Sequence, residues 1–385
     1  MVVLMVDMIS EMGGAQHSLY ELCTTLSKYD VKMVAAVPYG PLFDQLTAAK
    51  VEVYPLAQIR ARKRGWGLFT SAAKLARAPA SLAQIVKTVK PDIIHCNHLT
   101  ALLAARNLCK HYPVIWHVRD LNLPISIARD ASRKVARIFA ISEAVDEYLV
   151  EILSQRNLGR IRVVRNGINP EPFLTVSREL ARSQLGLPPN VPVVGMIAHL
   201  TPWKRHDAFI EAAQTIAQRK PESHFVIVGR DLFKENTRYR NKLVAAVTAA
   251  GLTSHFHWVT DVDEVEKILP AFDVLLHPAL REPFGRVICE AMAANVPVIA
   301  AESGGPASLI QQNETGILIR DGDAQHMAAQ TIALLDEPER RRIITAKAHC
   351  FVLENHTTTR MCEQTACEYR ELLAALATQP DNNDD

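Results

Sequence analysis

The sequence predicts an α/β protein made of two doubly wound parallel sheets, and three features of the chain lead to that prediction. Its 385 residues exceed what one ordinary hydrophobic core organises, so two domains are expected. Short apolar runs of strand length alternate with helical patterns along both halves, as in successive βαβ units. A cluster of prolines and glycines interrupts this alternation between 166 and 192, which indicates a domain boundary.

The first half begins with a predicted strand, Val2 to Asp7, whose continuous apolar run is typical of a buried parallel strand. A loop ending in Gly13-Gly14 follows, and the segment from Ala15 to Lys28 is predicted to be a helix with leucines on one face. Further strands are predicted at 31–37, 51–56, 92–97, 114–118 and 137–142. We therefore expect a Rossmann-like domain over residues 1–170.

The second half repeats the pattern and predicts another Rossmann-like domain over 171–358. Its strands are predicted at 193–198, 224–229, 255–259, 274–277, 297–301 and 316–319. Helical patterns occupy 323–335, 338–354 and 360–377. We expect a last helix over 359–378 to cross back to the first domain and the polar tail 379–385 to be frayed. Two such domains are expected to face a cleft, because open α/β sheets bind ligands at the carboxyl ends of their strands.

The composition argues against several classes of protein. No apolar run reaches the roughly 18 residues of a membrane span, and the apolar start of the chain is too short for a signal peptide. The seven cysteines form no CxxC pair, which favours reduced thiols in the cytoplasm and argues against a zinc site. We therefore expect a cytoplasmic protein.

Charge is distributed unevenly along the chain. The net charge is +2, but residues 1–170 carry +9 and the remainder −7. Between Val53 and Pro91 there is no Asp or Glu, and eight Lys or Arg stand beside Trp66 and other large apolar side chains. This mixture suits an anionic membrane surface, so residues 60–90 are a candidate for peripheral binding to the inner face of a membrane. A solvated loop followed by an ordinary amphipathic helix fits equally well, and nucleic acid is not expected because no base-stacking module accompanies the charge.

Two glutamates in the second half, Glu282 and Glu290, are eight positions apart. Glu282 is predicted to lie in the loop after the strand 274–277, and Glu290 in the helix that follows. Gly285 between them would let a ligand approach the backbone closely, and the helix start would offer N–H groups to an anion. Carboxylates on each side of an anion site suit a ligand with hydroxyls at both ends and phosphate between them, such as a nucleotide-sugar.

Further motifs surround the two glutamates and extend along nearly the whole chain. In the second half they are His277-Pro278, Glu282-Pro283-Phe284-Gly285, Glu290-Ala291, Pro297 to Ala300, Gly304-Gly305 and Gly316. Supporting motifs are Gly13-Gly14, Ile141-Ser142, Asn166-Gly167-Ile168, Gly195 to Lys204 and Val228-Gly229. This ordered set resembles the GT-B glycosyltransferases, specifically retaining family 4 (glycosyl transferases group 1). The resemblance implies an acceptor-binding first domain and a donor-binding second domain.

The resemblance also implies roles for the residues of the glutamate motif. Glu290 would bind the ribose hydroxyls of the nucleotide and Glu282 the hydroxyls of the donor sugar, because a carboxylate accepts charge-assisted hydrogen bonds. Phe284, Gly285 and Arg286 would supply backbone N–H groups to the sugar and phosphate.

The diphosphate-binding residues show one departure from the family. Lys204 matches the lysine that neutralises the donor diphosphate, but His199 stands where the family usually has an arginine. An imidazole is shorter and is neutral for part of the time near pH 7. Two interpretations stay open: His199 hydrogen-bonds a phosphate, or Arg205 compensates for the missing arginine.

Four further residues take expected roles from the resemblance. Gly14 would bring a backbone amide to the donor phosphate, and His117, at the end of a strand, would contact the transferred sugar. Arg230 and Val259 stand where the family holds the nucleotide base. A plain tight turn and a structural strand-end histidine are the alternatives for Gly14 and His117.

The function implied by the resemblance is transfer of a hexosyl unit from a UDP- or GDP-linked donor to a saccharide or lipid-linked acceptor, in the synthesis of cell-surface polysaccharide or glycolipid. His117, Glu282 and Lys204 are the expected catalytic residues. We expect no metal, because no DxD-type motif stands in a suitable loop, and the resemblance implies no cofactor. Two other classes stay open: a UDP-sugar 2-epimerase, which shares the architecture, and a non-catalytic nucleotide-sugar-binding protein.

Overall fold

The structure of the protein, a computed structural model, describes residues 1–56, 67–230, 236–260 and 264–378. For 67–77 and 321 it describes the backbone alone. Most side chains of the basic segment 60–90 therefore lie outside the described part of the chain, and so does the whole tail 379–385. Their predicted roles stay predictions.

The described chain divides into two compact units. Unit 1 comprises Met1–Gly167 and the chain from Thr358 onwards, and unit 2 comprises Ile168–Thr357. The last helix thus belongs to the first unit, although unit 2 precedes it in the sequence. None of the described helices is long and apolar enough to cross a membrane.

Unit 1 is built on a parallel sheet whose described strands follow the order β3-β2-β1-β4-β5-β6-β7. The strands are β1 Val2–Val6, β2 Lys32–Pro38, β3 Glu52–Leu56, β4 Ile93–Cys96, β5 Val114–Val118, β6 Arg137–Ala140 and β7 Ile161–Val163. Every residue of the central strands β4 and β5 is buried, as expected of parallel strands covered on both faces by helices.

Unit 2 contains a second parallel sheet, with the described strands in the order β10-β9-β8-β11-β12-β13. The strands are β8 Val193–Ile197, β9 His224–Val228, β10 Phe256–Val259, β11 Val274–His277, β12 Val298–Ala301 and β13 Ile317–Ile319. The strand order reverses between β8 and β11 here, and between β1 and β4 in unit 1. These two positions are the topological switch points, where open α/β sheets bind ligands.

Helices lie between most successive strands of both units, and three more follow the last strand. They are α1 Gly14–Thr25, α2 Pro41–Ala48, α3 Gly67–Val89, α4 Leu99–Ala105, α5 Ile125–Ser132, α6 Glu143–Ile152, α7 Gln155–Leu158, α8 Arg178–Gln184, α9 His206–Arg219, α10 Thr237–Ala249, α11 Arg286–Ala293, α12 Pro306–Leu309, α13 Ala324–Asp336, α14 Pro338–Asn355 and α15 Thr358–Ala377. Ser142, part of a motif noted in the sequence, caps α6 by accepting a hydrogen bond from the Val145 N–H at 3.2 Å. Such a cap contributes about 1 kcal/mol.

The cores follow the predicted apolar faces. Leu19 and Leu22 of α1 have no exposed surface, and burial of each such side chain contributes about 2 kcal/mol. Helix α15 packs on α1 and adds Tyr369 to the same core. In unit 2, the rings of Phe225 and Phe256 stack with centroids 5.4 Å apart.

The edge strand β7 is an element that the sequence analysis missed. It has three residues, with Arg162 at its centre, so it carries neither a continuous apolar run nor a clear alternation. It pairs with β6 alone among the described strands. Gln364 of α15 donates a hydrogen bond to the Val163 carbonyl at 2.6 Å, which helps cover the open edge.

Candidate functional site

A buried carboxylate with two basic partners lies at the switch point of the unit 2 sheet. Glu282 follows β11, and its Oε2 accepts hydrogen bonds from Lys204 Nζ at 2.5 Å and from His277 Nε2 at 3.3 Å. His277 is the last residue of β11, and Lys204 ends a 3-10 turn that follows β8. Helix α9 begins two residues later at His206, directly after Arg205, which adopts a left-handed backbone with φ of 59°.

The charges of this cluster can be assigned from its surroundings. Burial alone raises the pKa of the Glu282 carboxyl, but the Lys204 ammonium and the His277 ring outweigh it and hold the pKa well below its usual range. Burial lowers the pKa of His277, and the neighbouring carboxylate offsets this only in part. At neutral pH Glu282 is therefore a carboxylate and His277 a neutral imidazole.

A pH-dependent contribution of Glu282 to stability is expected. Its pKa is lower in the folded chain than in the unfolded chain, where it is about 4.3. The ionised carboxylate therefore stabilises the fold above that pH, and the contribution is lost as the pH falls below it. We expect Glu282→Gln to reduce the free energy of unfolding by a constant amount from about pH 8 to about pH 5 and by less at about pH 4. Denaturant titrations at each pH measure the difference.

The control for this prediction is Glu264→Gln. Glu264 forms an exposed ion pair with Lys267 at 2.6 Å, and such pairs contribute little to stability. A deficit for Glu282→Gln that stays the same at about pH 4 would show that the charge of Glu282 does not stabilise the fold.

Two glycines support the loop that carries Glu282. The Gly305 N–H donates to the Glu282 carbonyl at 2.7 Å, and Gly304 has a φ of 76°. A Cβ on Gly304 would overlap the Glu282 carbonyl, and one on Gly305 would overlap the Phe284 carbonyl. The motif Gly304-Gly305 thus allows two backbone segments to approach more closely than any side chain permits.

The second glutamate lies where the sequence predicts it, inside helix α11. Gly285 precedes the helix with a φ of 98°, a conformation that favours glycine. Glu290 is buried, and its Oε1 accepts a hydrogen bond from Arg286 Nε at 2.8 Å. Phe284 is also buried, so it is the backbone around Gly285, rather than the phenyl ring, that a ligand at the helix start would meet.

The other residues predicted to bind the nucleotide-sugar donor lie at the ends of three neighbouring strands of unit 2. His199 follows β8, Arg230 follows β9, and Val259 is the last residue of β10. The Gly229 N–H donates to the Val259 carbonyl at 2.9 Å, and the Leu200 N–H donates to the Arg230 carbonyl at 3.2 Å. All three predicted residues therefore lie at the carboxyl edge of the sheet.

His199 is neutral at physiological pH. Burial, together with the charges of Lys204 and Arg230, lowers its pKa to about 4. Arg205, considered above as a compensating cation, forms an ion pair with Asp207 at 3.2 Å. Of Arg205 and Arg230, it is Arg230 whose charge contributes to the lowered pKa of His199.

A second polar cluster lies at the switch point of the unit 1 sheet, and the sequence analysis missed most of it. Asp7 follows β1, and its Oδ2 accepts hydrogen bonds from Asn97 Nδ2 at 2.7 Å and Gln16 Nε2 at 3.1 Å. Arg119 follows β5 and donates from Nε to Asn97 Oδ1 at 2.6 Å. The signal was present in the sequence, since Asp7 and Asn97 are polar residues directly after apolar strands.

His117 belongs to this second cluster. His95 Nε2 lies 3.0 Å from His117 Nδ1, and an Arg119 guanidinium nitrogen lies 3.3 Å from the same atom. The Nε2 atom of His117 is buried and has no hydrogen-bond partner among the described residues. The ring has no exposed surface in this structure, so a ligand would reach it only after neighbouring groups move. Its predicted contact with a sugar stays a prediction.

The glycine pair at the start of α1 has a plain local explanation. Gly14 is the first residue of the helix, and Gly13 precedes it with extended backbone that any residue adopts. The Gly13 carbonyl accepts the N–H of His17 at 2.9 Å. A contact between Gly14 and a donor phosphate stays a prediction.

The described residues contain no group of three or more His, Cys, Asp and Glu side chains arranged to hold a metal ion. The seven cysteines are all among these residues, and each is a free thiol.

Solved structures share this architecture along nearly the whole chain. The crystal structure of Anabaena Alr3699/HepE in complex with UDP-glucose matches with a TM-score of 0.82 and 22% identity, covering 97% of this chain and 99% of that chain. The sucrose-phosphate synthase of Thermosynechococcus elongatus matches with a TM-score of 0.82 and 19% identity, covering 97% of this chain and 99% of that chain. Two parallel-sheet α/β units of this kind define the GT-B fold.

Family models match both units. Residues 12–172 match Glycosyltransferase Family 4, and residues 177–349 match Glycosyl transferases group 1. The chain belongs to the group 1 glycosyltransferases, and the family resemblance seen in the sequence is confirmed.

Curated relatives match over about half of the chain. D-inositol 3-phosphate glycosyltransferase 2 of Catenulispora acidiphila is 29% identical in an alignment of 203 residues that covers 47% of this chain and 44% of the relative. D-inositol 3-phosphate glycosyltransferase of Rhodococcus jostii is 30% identical in an alignment of 193 residues that covers 49% of this chain and 42% of the relative. The match thus spans less than half the length of these relatives.

Proposed function

We propose that this glycosyltransferase is retaining and metal-independent, and that it moves a hexosyl unit from a nucleotide diphosphate sugar to a saccharide or lipid-linked acceptor. Synthesis of cell-surface polysaccharide or glycolipid is the proposed setting. The observation that carries the proposal is the cluster of Lys204, His277 and Glu282 beside the start of α11, with the buried Glu290 further along that helix. A ligand with a diphosphate between two hydroxyl-bearing groups matches this arrangement.

The nucleotide is proposed to bind along the carboxyl edge of the unit 2 sheet. Glu290 would accept hydrogen bonds from the ribose hydroxyls, while Arg286 keeps its carboxylate oriented. Arg230 and Val259 would contact the base. UDP is the first nucleotide to test, since the Anabaena neighbour was solved with UDP-glucose.

The diphosphate is proposed to lie between Lys204 and the start of α11. The Lys204 ammonium has three N–H donors, so it can contact phosphate while keeping one hydrogen bond to Glu282. The backbone N–H groups of Phe284, Gly285 and Arg286 lie at the positive end of the helix dipole. Neutral His199 would donate a hydrogen bond to phosphate without adding charge.

The proposed reaction occurs on one face of the sugar. The bond between the anomeric carbon and the donor phosphate oxygen breaks, and a bond from that carbon to the acceptor oxygen forms on the same face. The acceptor proton passes to the leaving phosphate, and a nucleoside diphosphate is released. Lys204 and the helix amides would stabilise the charge that develops on that phosphate, while Glu282 orients the donor sugar. In unit 1, His117 would contact a bound saccharide.

A cation at position 199 is expected to strengthen nucleotide binding. His199→Arg replaces a neutral donor by a charged one, and hydrogen bonds to charged groups contribute about 1 kcal/mol more. We expect UDP affinity to rise about fivefold by calorimetry, with little change for the control His326→Arg on the exposed surface of α13. Unchanged or weaker binding would show that position 199 does not face the phosphate.

A panel of UDP- and GDP-hexoses tests the proposed activity. The purified protein is incubated with each sugar nucleotide in the presence of EDTA, and products are followed by chromatography. Slow release of free UDP or GDP that EDTA does not affect supports a metal-independent transferase. Interconversion of the sugar at C2 would instead indicate an epimerase, and binding without turnover would indicate a non-catalytic nucleotide-sugar-binding protein.

A further inference from the structure

A buried chain of hydrogen bonds leads from helix α15 to His117. The hydroxyl of Tyr369 lies 2.5 Å from His95 Nδ1, and His95 Nε2 lies 3.0 Å from His117 Nδ1. All three side chains have no exposed surface. Phe139 packs edge-on against both imidazoles, with centroids 5.6 Å from each, so the rings are fixed in orientation.

The hydrogen-bond partners determine where each proton lies. A guanidinium group can only donate, and an Arg119 nitrogen lies 3.3 Å from His117 Nδ1. His117 Nδ1 must therefore accept, which places the single proton of this ring on Nε2. His95 must then donate a hydrogen bond from its Nε2, and its Nδ1 must accept a hydrogen bond from the hydroxyl group of Tyr369.

The charge state of these groups supports the same assignment. Burial, aided by the Arg119 charge, lowers the pKa of His95 to about 3 and that of His117 well below its ordinary value. Burial raises the pKa of Tyr369 well above its ordinary value. Each imidazole thus carries one proton and the phenol keeps its own.

The free end of this chain is the Nε2–H group of His117. It has no partner among the described residues, although it is fully buried. Native proteins rarely leave a buried donor unsatisfied, and such groups occur where a ligand or an ordered water completes the hydrogen bonding.

We propose that Tyr369 and His95 are positioning residues which, together with Arg119, hold His117 as the Nε2–H tautomer, so that it donates a hydrogen bond to an oxygen of the bound saccharide or phosphate. The identity of that ligand rests on the function proposed above. In this tautomer Nε2 has no lone pair for a proton and Nδ1 is occupied by two donors, so His117 does not act as a general base. Helix α15 thereby fixes a group at the switch point of unit 1.

Nitrogen NMR of the histidine rings tests the tautomer directly. The full-length protein is labelled at its imidazole nitrogens, and His117→Gln identifies the His117 signals by their loss. We expect a protonated Nε2 and an unprotonated Nδ1 for His117 at neutral pH. Protonation of Nδ1, a charged ring or rapid exchange between tautomers would overturn the proposal. This measurement needs no substrate, so it stands even if no sugar nucleotide is turned over.

The positioning role is tested with Tyr369→Phe, which removes only the hydroxyl group. We expect kcat for donor hydrolysis to fall about tenfold, by analogy with the loss caused by removing a hydrogen bond that orients a metal-binding histidine, with the donor KM within about twofold of wild type. The matched control is Tyr29→Phe, whose hydroxyl contacts the Thr359 carbonyl of α15 at 3.4 Å, and it should change neither constant. A Tyr369→Phe enzyme with the kcat of wild type would overturn the positioning role.

Discussion

Replacement of Glu290 by alanine is expected to weaken binding of UDP or GDP by at least about a hundredfold and to abolish transfer. The variant removes both hydrogen bonds that the carboxylate is proposed to accept from the ribose hydroxyls. Each hydrogen bond to a charged group contributes about 1.5–3 kcal/mol, and about 2.7 kcal/mol corresponds to a hundredfold change in affinity. Isothermal titration calorimetry with the free nucleotide measures the effect without requiring an acceptor.

The control for Glu290→Ala is Glu339→Ala. Glu339 also pairs with an arginine on its own helix, Arg342, at 2.7 Å, but both side chains are exposed. Loss of that pair should leave nucleotide affinity unchanged. Wild-type affinity in Glu290→Ala would exclude Glu290 as the ribose ligand.

Replacement of Lys204 by methionine is expected to destabilise unit 2 by about 3–5 kcal/mol. The substitution leaves the Glu282 carboxylate buried beside the neutral His277 without its cationic partner, and an uncompensated buried charge is costly. Denaturant unfolding measures the loss. The double variant Lys204→Met with Glu282→Gln removes both charges and is expected to recover most of the stability.

Activity and stability should separate in this double variant. Because Lys204 is proposed to stabilise the leaving phosphate, transfer or donor hydrolysis should stay about a hundredfold to a thousandfold below wild type even where stability returns. Recovery of activity together with stability would show that Lys204 serves the fold alone. A double variant no more stable than Lys204→Met would show that the two charges are not coupled.

The elements that the sequence predicts correctly are those whose signal is local. Buried parallel strands are continuous apolar runs, so the strands that precede Glu282 and His199 were predicted from a few neighbouring residues. The two glutamates and Gly285 lie within one strand-loop-helix segment, and their arrangement follows from that segment. The role of His277 was missed because its contact with Glu282 depends on side-chain geometry.

Polar residues directly after apolar strands, such as Asp7 and Asn97, are visible in the sequence, but the contacts of the polar network of unit 1 could not be predicted from local patterns. Tyr369 and His95 are separated by 274 residues, and no periodicity connects a tyrosine on the last helix with a histidine on β4. Asp7, Asn97 and Arg119 meet because strands β1, β4 and β5 are neighbours in the sheet, which the order of predicted strands along the chain does not specify. Such long-range contacts require the folded topology.

The configuration of the sugar at its anomeric carbon tests the proposed reaction most directly. Proton NMR can follow an α-linked UDP-hexose mixed with the protein and a saccharide acceptor before any free sugar equilibrates between anomers. A retaining transferase should give an α-configured product while free UDP accumulates. A β-configured product, or a C2 epimer still attached to its nucleotide, would contradict the proposed mechanism.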